Sequence, residues 1–272
     1  MLAGYAVLIE TWRRIVNAWG LGATFRFVDA ARVWFVSSLV RYLPYNFVFQ
    51  LGAVAELSRR ERISPLAATG GSLINQLVNI AGGFIIALVV GFRAMDRLSS
   101  GHAVLGAVLA ATMLVGVLVL PLLLPVLTPV LERIAGRSLA FGRLPYRAIV
   151  VALIGNLIAW ILYGVAYRLF AIGVIGNVSG STSEFIAVYA AAYVIGYLAF
   201  VAPAGVGVRE VVQVEGLTML GVASSGQAGL VAISARLWVT ILEVAPALIM
   251  LGLARRSRRA SPGHSRPDGS NS

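Results

Sequence analysis

The fold is decided by an uncharged stretch of 27 residues, Leu66–Phe92, which reads LAATGGSLINQLVNIAGGFIIALVVGF. A transmembrane α-helix needs about 20 mainly apolar residues, so this stretch is long enough to cross a bilayer. The whole chain of 272 residues has the same character: 59% of it is apolar, 12% is charged, and the mean hydropathy is +0.87. A soluble domain carries about 25% charged residues. The composition therefore excludes a large soluble enzymatic domain and predicts a polytopic integral membrane protein.

Further apolar stretches extend this prediction to the rest of the chain. Five of them predict membrane spans: Leu66–Phe92, Leu98–Leu131, Ala148–Tyr167, Phe185–Val208 and Gln227–Leu253. Two shorter ones, Val33–Ala55 and Val208–Gly221, carry more polar groups, and each predicts a half-helix, a re-entrant segment or a tilted, broken span that faces the protein interior. The predicted fold is an all-α transmembrane bundle of about seven to eight membrane-embedded segments, two of them broken, at Pro44 and Pro203.

The two ends of the chain differ from this region. Met1–Ile9 is apolar but too short to span, which predicts either an interfacial helix or the end of a truncated first helix. Residues 255–272 are rich in arginine, serine, proline and glycine, and they predict a disordered basic tail. Residues 1–254 therefore form the predicted membrane domain.

The net charge of +11 comes from 22 basic residues, all of them arginine, against 11 acids. Sixteen of the arginines lie in the segments 1–32, 56–65, 132–147 and 254–272, which alternate between the predicted spans. Basic loops stay on the cytoplasmic side, so this distribution predicts a multi-pass protein of the bacterial inner membrane with a cytoplasmic C-terminus. Topology explains the charge, and nucleic acid is not an expected partner.

The reactive residue types are scarce. The chain has no cysteine and two histidines, which excludes disulfides, thiolate metal sites and cysteine nucleophiles. No set of residues has the spacing of a catalytic or metal site. We therefore expect no enzymatic activity, no metal and no cofactor.

Charges within apolar stretches are the informative exceptions. An arginine at the centre of a membrane helix costs about 2.5–3.5 kcal/mol on insertion scales, so it normally faces the bundle interior. The candidates are Arg41, Glu56, Arg168, Arg209, Glu210, Glu215, Arg236 and Glu243. Arg41, Arg209 and Arg236 could form a neutral buried network with Glu56, Glu210 and Glu243. Such a network either holds the helices together or recognises a charged headgroup, since guanidinium groups bind phosphate bidentately.

Two other polar features have the same two interpretations. Gly205 and Gly207 follow Pro203 and precede a helix, and this pattern predicts either a packing hinge or backbone N–H groups that face a phosphate. Asn75, Gln76 and Asn79 lie in one apolar stretch. Amides join membrane helices, so helix contact is the favoured interpretation of these three and headgroup contact is the alternative.

Two segments carry a resemblance to a known family. The first contains Ser38-Leu-Val-Arg-Tyr-Leu-Pro44, Phe49-Gln-Leu-Gly and Arg59-Arg-Glu-Arg-Ile-Ser-Pro65; the second is Tyr193-Val-Ile-Gly-Tyr-Leu-Ala-Phe-Val-Ala-Pro-Ala-Gly-Val-Gly-Val-Arg-Glu210. Between Trp12 and Leu253 the chain resembles the transmembrane region of lysylphosphatidylglycerol synthases of the multiple peptide resistance factor type, and its stand-alone flippase-like relatives.

The resemblance implies a membrane domain that moves a lipid headgroup between leaflets. It places Arg41, Tyr42 and Pro44 in an early break, and Pro203, Gly205, Gly207, Arg209 and Glu210 in a late one. With Arg236 and Glu243, these residues form the predicted substrate site. The sequence departs from the family at Tyr45, where glycine is usual, and at Asn75, Gln76 and Asn79, where many members have Glu-Arg-x-x-Asp. The soluble aminoacyl-transfer domain is absent, so synthase activity is not expected.

The predicted function is therefore a flippase or translocase for an anionic or polyprenyl-linked lipid. Two alternatives stay open: a non-transporting subunit that anchors an envelope-biosynthesis enzyme, and a secondary solute transporter with Glu215 or Glu243 as a proton site. The expected partners are the bilayer and its lipid substrate. An envelope-enzyme partner and a homo-oligomer also stay open.

Overall fold

The architecture is that of a computed structural model, which describes residues 1–19, 24–42, 46–95, 108, 111–119, 122–123, 144–199 and 205–259. At 41–42, 46–48, 92–95 and 254–259 only the backbone is described. Across these ranges the chain forms helices and no strand, which confirms the all-α class. The elements are α1 Leu2–Ala18, α2 Phe27–Ser38, a 3₁₀ turn Leu39–Tyr42, α3 Asn46–Arg60, α4 Pro65–Met95, α5 Tyr146–Ile175, α6 Thr182–Leu198, α7 Val208–Met219 and α8 Ser225–Arg259.

Three helices are long and apolar enough to cross a membrane, which is typical of an integral membrane protein. The apolar parts are Pro65–Gly91, Tyr146–Ile175 and Ser225–Leu253, of 27, 30 and 29 residues, with hydropathies of 2.1, 2.3 and 1.7. At 1.5 Å per residue each exceeds the roughly 30 Å of a hydrocarbon core. They confirm three of the five predicted spans. The predicted span Leu98–Leu131 lies mostly outside the described residues.

The outer surface of α8 also fits a membrane. Leu230, Ile233, Leu237 and Ile241 are each 55% to 63% exposed and recur every three or four residues, so they form one apolar stripe. Soluble proteins rarely expose a continuous apolar surface of this kind. This face is therefore suited to contact the acyl chains of lipids.

The predicted span Phe185–Val208 is not a single helix. Helix α6 has 17 residues and ends at Leu198, and α7 begins at Val208. Gly205 and Gly207 have φ angles of +66° and +84°, a left-handed conformation that glycine adopts readily and that ends a right-handed helix. The polypeptide therefore turns back here, and α6 is too short to count as a span.

Helices α2 and α3 form an antiparallel pair, in which the start of α2 lies beside the end of α3. Arg32 in the second turn of α2 forms an ion pair with Glu61, which follows α3, with Nη1 and Oε1 2.7 Å apart. The 3₁₀ turn and the break after Tyr42 lie at the opposite end of the pair. Pro44, the predicted break point, lies outside the described residues.

Helices α6 and α7 form a second antiparallel pair. Ser179, just before α6, donates from Oγ to the carbonyl oxygens of Gly221 and Val222 after α7, at 2.9 and 3.1 Å. The start of α6 and the end of α7 therefore lie side by side. The glycine-rich turn lies at the other end of this pair.

The two pairs point in opposite directions. Helix α4 starts at Pro65, directly after the base of the first pair, and Gly71 near its start contacts Val16 at the end of α1. Near the other end of α4, Gly91 faces Ala187 in the first half of α6. The end of the first pair that holds the Arg32–Glu61 ion pair and the end of the second pair that holds Ser179 thus lie at opposite ends of the bundle. We call these ends the bases of the pairs; the opposite ends, the tips, point toward the middle.

Helix α1 belongs to the core of the bundle. Its Trp12 and Ile15 are fully buried, and Trp12 donates from Nε1 to the carbonyl oxygen of Ala68 in α4 at 3.3 Å. Tyr5 packs edge-to-face on Tyr163 of α5. One face of α1 thus packs against α4 and α5, while Leu2, Ala3, Ala6 and Arg14 are exposed.

Candidate functional site

A small polar cavity lies between α6, α7 and α8, and we call it the arginine cavity. Its lining residues are Tyr189, Tyr193, Arg209, Glu210, Gln213, Ala232, Ala235, Arg236 and Val239. The side chains leave about 370 Å³ of empty space, of which about 30 Å³ admits the centre of a water molecule. In this conformation the cavity has room for a few waters, and a headgroup would need the helices to separate.

Arg209, in the first turn of α7, has a guanidinium without a carboxylate partner among the described residues. Its Cζ lies 4.0 Å from the centroid of the Tyr193 ring, a cation–π contact. Its Nε is buried and has no hydrogen-bond partner among the described residues. A buried donor without a partner is costly, so this atom is suited to an incoming oxygen acceptor.

Two glycines leave room for the Arg209 side chain in this position. A Cβ atom at Gly196 of α6 would collide with Cγ of Arg209, and one at Gly205 would lie 2.9 Å from its Nε. Gly205 is also left-handed, as described above. The glycines therefore create the slot that the long side chain fills.

Glu210 is shared between the backbone and Arg236. Its Oε2 accepts a hydrogen bond from the backbone N–H of Gly207 at 2.8 Å, and its Oε1 lies 3.7 Å from Nε of Arg236. The sequence predicts either a packing hinge here or backbone N–H groups that face a phosphate; in the present conformation the Gly207 N–H is bonded to the Glu210 carboxylate, which caps the helix. Among the described residues that line the cavity, two are arginines and one is a glutamate.

Glu243, seven residues beyond Arg236, is 5% exposed and lies outside this lining. It accepts a hydrogen bond from the Tyr5 hydroxyl at 3.0 Å, which joins α8 to α1. Glu56 does not join a buried network as expected, because it is half exposed and pairs with Arg59 and Arg60 on its own helix.

A second polar cavity is also lined by Tyr193, and we call it the amide cavity. Its lining residues are Leu8, Trp12, Trp34, Ser37, Gln50, Leu51, Val54, Ser72, Asn75, Gln76, Asn79 and Tyr193. It has about 640 Å³ of empty space, of which about 50 Å³ admits the centre of a water molecule. Tyr193 is the one residue common to both linings.

Two of the asparagine side chains that line this cavity form hydrogen bonds to other helices, whereas the Gln76 side chain does not. Asn79 donates from Nδ2 to Oδ1 of Asn156 in α5 at 2.8 Å, and Asn75 Oδ1 accepts from Thr11 of α1 at 3.2 Å. These bonds join three helices, as the helix-contact interpretation predicts. Gln76 behaves differently, because its buried Nε2 has no hydrogen-bond partner within the described chain.

An apolar groove lies on the outer surface between α7 and α8, and we call it the lateral groove. It is lined by Glu210, Val211, Val214, Glu215, Gly229, Ala232 and Ile233 and has about 440 Å³ of empty space. Small residues on α8 form its floor. Glu210 and Ala232 also line the arginine cavity, so the polar cavity and the apolar groove adjoin.

The structure brings together only part of the predicted site. Arg209, Glu210 and Arg236 meet in one cavity, with Gly205 and Gly207 at its edge. Pro203 and Pro44 lie outside the described residues, as do the side chains of Arg41 and Tyr42. Arg168 lies on α5, lines neither cavity, and has a buried Nε without a partner among the described residues.

The sequence interpretation missed several residues that line these cavities, among them Tyr189, Gln50 and Gln213, and it missed Asn156, which bonds to Asn79. Helical spacing could have found two of them. Tyr189 precedes Tyr193 by one turn, and Gln213 follows Arg209 by one turn, so each pair shares a helix face. In the described part of the chain, no group of three or more histidine, aspartate or glutamate residues is arranged to hold a metal ion.

Comparison with known proteins adds no relative: no family model matches the chain, and no curated protein or solved structure matches it significantly.

Proposed function

We propose that the protein is a lipid flippase or translocase of the bacterial inner membrane. Arg209 and Arg236 bind the phosphate of a lipid headgroup in the arginine cavity, while the acyl or prenyl chains stay in the lateral groove. The observation that carries this proposal is that a cavity lined by two arginines adjoins an apolar groove open to the outside. A soluble anion needs only the first of these features, whereas an anionic lipid needs both.

The opposed helix pairs support movement across the bilayer. Helix α7 has 12 residues and is about 18 Å long, which is too short to cross the roughly 30 Å hydrocarbon core. We infer that α2–α3 and α6–α7 are re-entrant hairpins that enter from opposite sides and meet near the midplane. Together with the spans, they give about seven to eight embedded segments, with the arginine-rich end in the cytoplasm. Inverted elements around a midplane site are a common basis of alternating access.

Labelling of single cysteines tests the hairpins, since the chain has no cysteine of its own. In sealed inverted vesicles and intact cells, we expect a membrane-impermeant maleimide to label Arg59→Cys from the cytoplasmic side and Asn177→Cys from the other side. Val206→Cys, at the tip of the second hairpin, should react much more slowly from the cytoplasmic side than Arg59→Cys. Labelling of both at equal rates from that side would mean that the pair crosses the bilayer twice.

A scrambling assay tests the function directly. The purified protein is placed in liposomes that contain a trace of fluorescent anionic phospholipid or fluorescent polyprenyl phosphate, and dithionite quenches the outer leaflet. We expect the protected half of the signal to be lost with protein and kept in empty liposomes. If every lipid stays in its leaflet, the flippase proposal is rejected, and an enzyme anchor or a solute transporter takes its place.

A further inference from the structure

We propose that the amide cavity binds an uncharged, hydroxyl-rich headgroup, a polyol or a sugar, while the arginine cavity holds the phosphate to which that headgroup is attached. This inference rests on the proposed function and names its substrate class. The shared chemistry is a phosphate ester of a polyol on a lipid. It could come from a glycerophospholipid or from a polyprenyl phosphosugar.

The lining of the amide cavity matches hydroxyl groups. A hydroxyl both donates and accepts hydrogen bonds, and so does a carboxamide. Gln50, Asn75, Gln76 and Asn79 place four carboxamides around one cavity, with the Ser72 hydroxyl beside them. This is a high density of paired donors and acceptors for a surface that is otherwise apolar.

Some of these groups are still available for a ligand. The Nε2 of Gln76 is buried without a partner in the described chain. Within the described residues, Asn75 accepts two side-chain hydrogen bonds at its Oδ1, from Thr11 and from Asn156, and its Nδ2 donates none. Burying such donors unpaired costs free energy, and a ligand oxygen removes that cost.

The same lining disfavours a cationic headgroup. None of the described residues that line this cavity is an aspartate or a glutamate. An ammonium group buried there would have no counter-ion, and burial of an unpaired charge is far more costly than burial of a hydroxyl. Trp12, Trp34 and Tyr193 add flat apolar surfaces that can cover the C–H groups of a sugar ring or a glycerol.

The position of the cavity fits one ligand that occupies both sites. The Tyr193 ring lines the amide cavity, and the guanidinium of Arg209 lies over that ring at 4.0 Å. The two cavities therefore adjoin at Tyr193. A headgroup joined directly to its phosphate can extend past Tyr193 from one cavity into the other.

The test compares lipids that share one phosphodiester and the same fluorescent chain. In proteoliposomes we expect phosphatidylglycerol and phosphatidylinositol to cross at least about fivefold faster than phosphatidylmethanol, which lacks the hydroxyls, and phosphatidylethanolamine, which carries an ammonium group in their place. A second arm uses a fluorescent polyprenyl phosphohexose against the plain polyprenyl phosphate. Preference for the hydroxylated member in either arm supports the proposal and identifies the source.

Gln76 provides the diagnostic variants, because it forms no bond in the described chain that its removal would break. Gln76→Ala should slow the hydroxylated lipids about 3- to 10-fold, the equivalent of one lost hydrogen bond, and leave phosphatidylmethanol unchanged. Gln76→Glu should slow them further and speed phosphatidylethanolamine. The matched control is Asn177→Ala, which removes an exposed amide between α5 and α6 that forms no hydrogen bond in the described chain, and which should change no rate.

Three results would overturn the inference: equal rates for all lipids, a preference for phosphatidylethanolamine, or equal slowing of every lipid in Gln76→Ala. If no lipid moves at all, translocation is wrong and binding decides the inference. Trp12 and Trp34 line the cavity, so the tryptophan fluorescence of the detergent-solubilised protein should respond to dihexanoyl phosphatidylinositol at lower concentration than to dihexanoyl phosphatidylethanolamine. An equal response, or none, overturns the assignment of the cavity.

Discussion

Replacing Arg209 by alanine is expected to slow lipid movement in proteoliposomes about 10- to 100-fold. The substitution removes the guanidinium whose Nε has no partner in the described chain, and with it one of the two arginines that line the cavity. A hydrogen bond to a charged group contributes about 1.5–3 kcal/mol, and about 1.4 kcal/mol is a factor of ten in rate or affinity. The measurement is the dithionite assay with anionic lipid.

Two further variants separate the role of the charge from that of the fold. Arg209→Lys keeps the charge but loses the planar fork that binds phosphate bidentately, so its rate should lie between those of the wild type and Arg209→Ala. Arg168→Ala removes another arginine from an apolar helix, but one that lines neither cavity, and should keep the wild-type rate. A wild-type rate in Arg209→Ala would remove Arg209 from the phosphate site.

Replacing Gly164 by alanine is expected to destabilise the protein by about 1–3 kcal/mol, the usual cost of overpacking a tight contact. A Cβ atom at this position of α5 would collide with the Cα and the side chain of Ile186 in α6. The obstacle is partly backbone, so a change of rotamer cannot remove it, and the two helices must separate. The thermal midpoint in detergent, followed by circular dichroism, should fall by several degrees.

Gly173 on the same helix is the matched control. A Cβ atom there meets nothing within 4 Å, and alanine in a helix interior is favoured over glycine by about 0.5–1 kcal/mol. Gly173→Ala should therefore raise the thermal midpoint slightly. If both variants shift it in the same direction, the close approach of α5 and α6 is wrong.

The sequence predicts the helical class and three spans because these depend on length and apolarity alone. A run of 27 uncharged residues such as Leu66–Phe92 has few alternatives to a membrane helix. The Pro203–Gly207 region was recognised as a break, since two glycines within three residues interrupt a helix. The predicted span that includes it was too long, because apolarity by itself does not report where a helix stops.

The site was only partly predictable because it depends on contacts between distant segments. Arg209 and Arg236 stand out locally, as charges in apolar surroundings. The capping of α7 by Glu210 depends on which way one carboxylate turns, and the two cavities share Tyr193 only because α6 lies between α4 and α7. Asn156 is a lone amide in its own stretch, and its bond to Asn79 spans 77 residues of sequence.

The aromatic ring shared by the two cavities gives the proposed site two unlike halves. In one half a headgroup would meet guanidinium groups, and in the other it would meet neutral carboxamides. Attraction by charge weakens as added salt shortens the range of the field, about 10 Å at 0.1 M ionic strength, whereas hydrogen bonding to neutral amides is much less affected. Added salt would therefore weaken recognition of the phosphate more than recognition of the hydroxyl groups, and the preference among lipids would change with ionic strength.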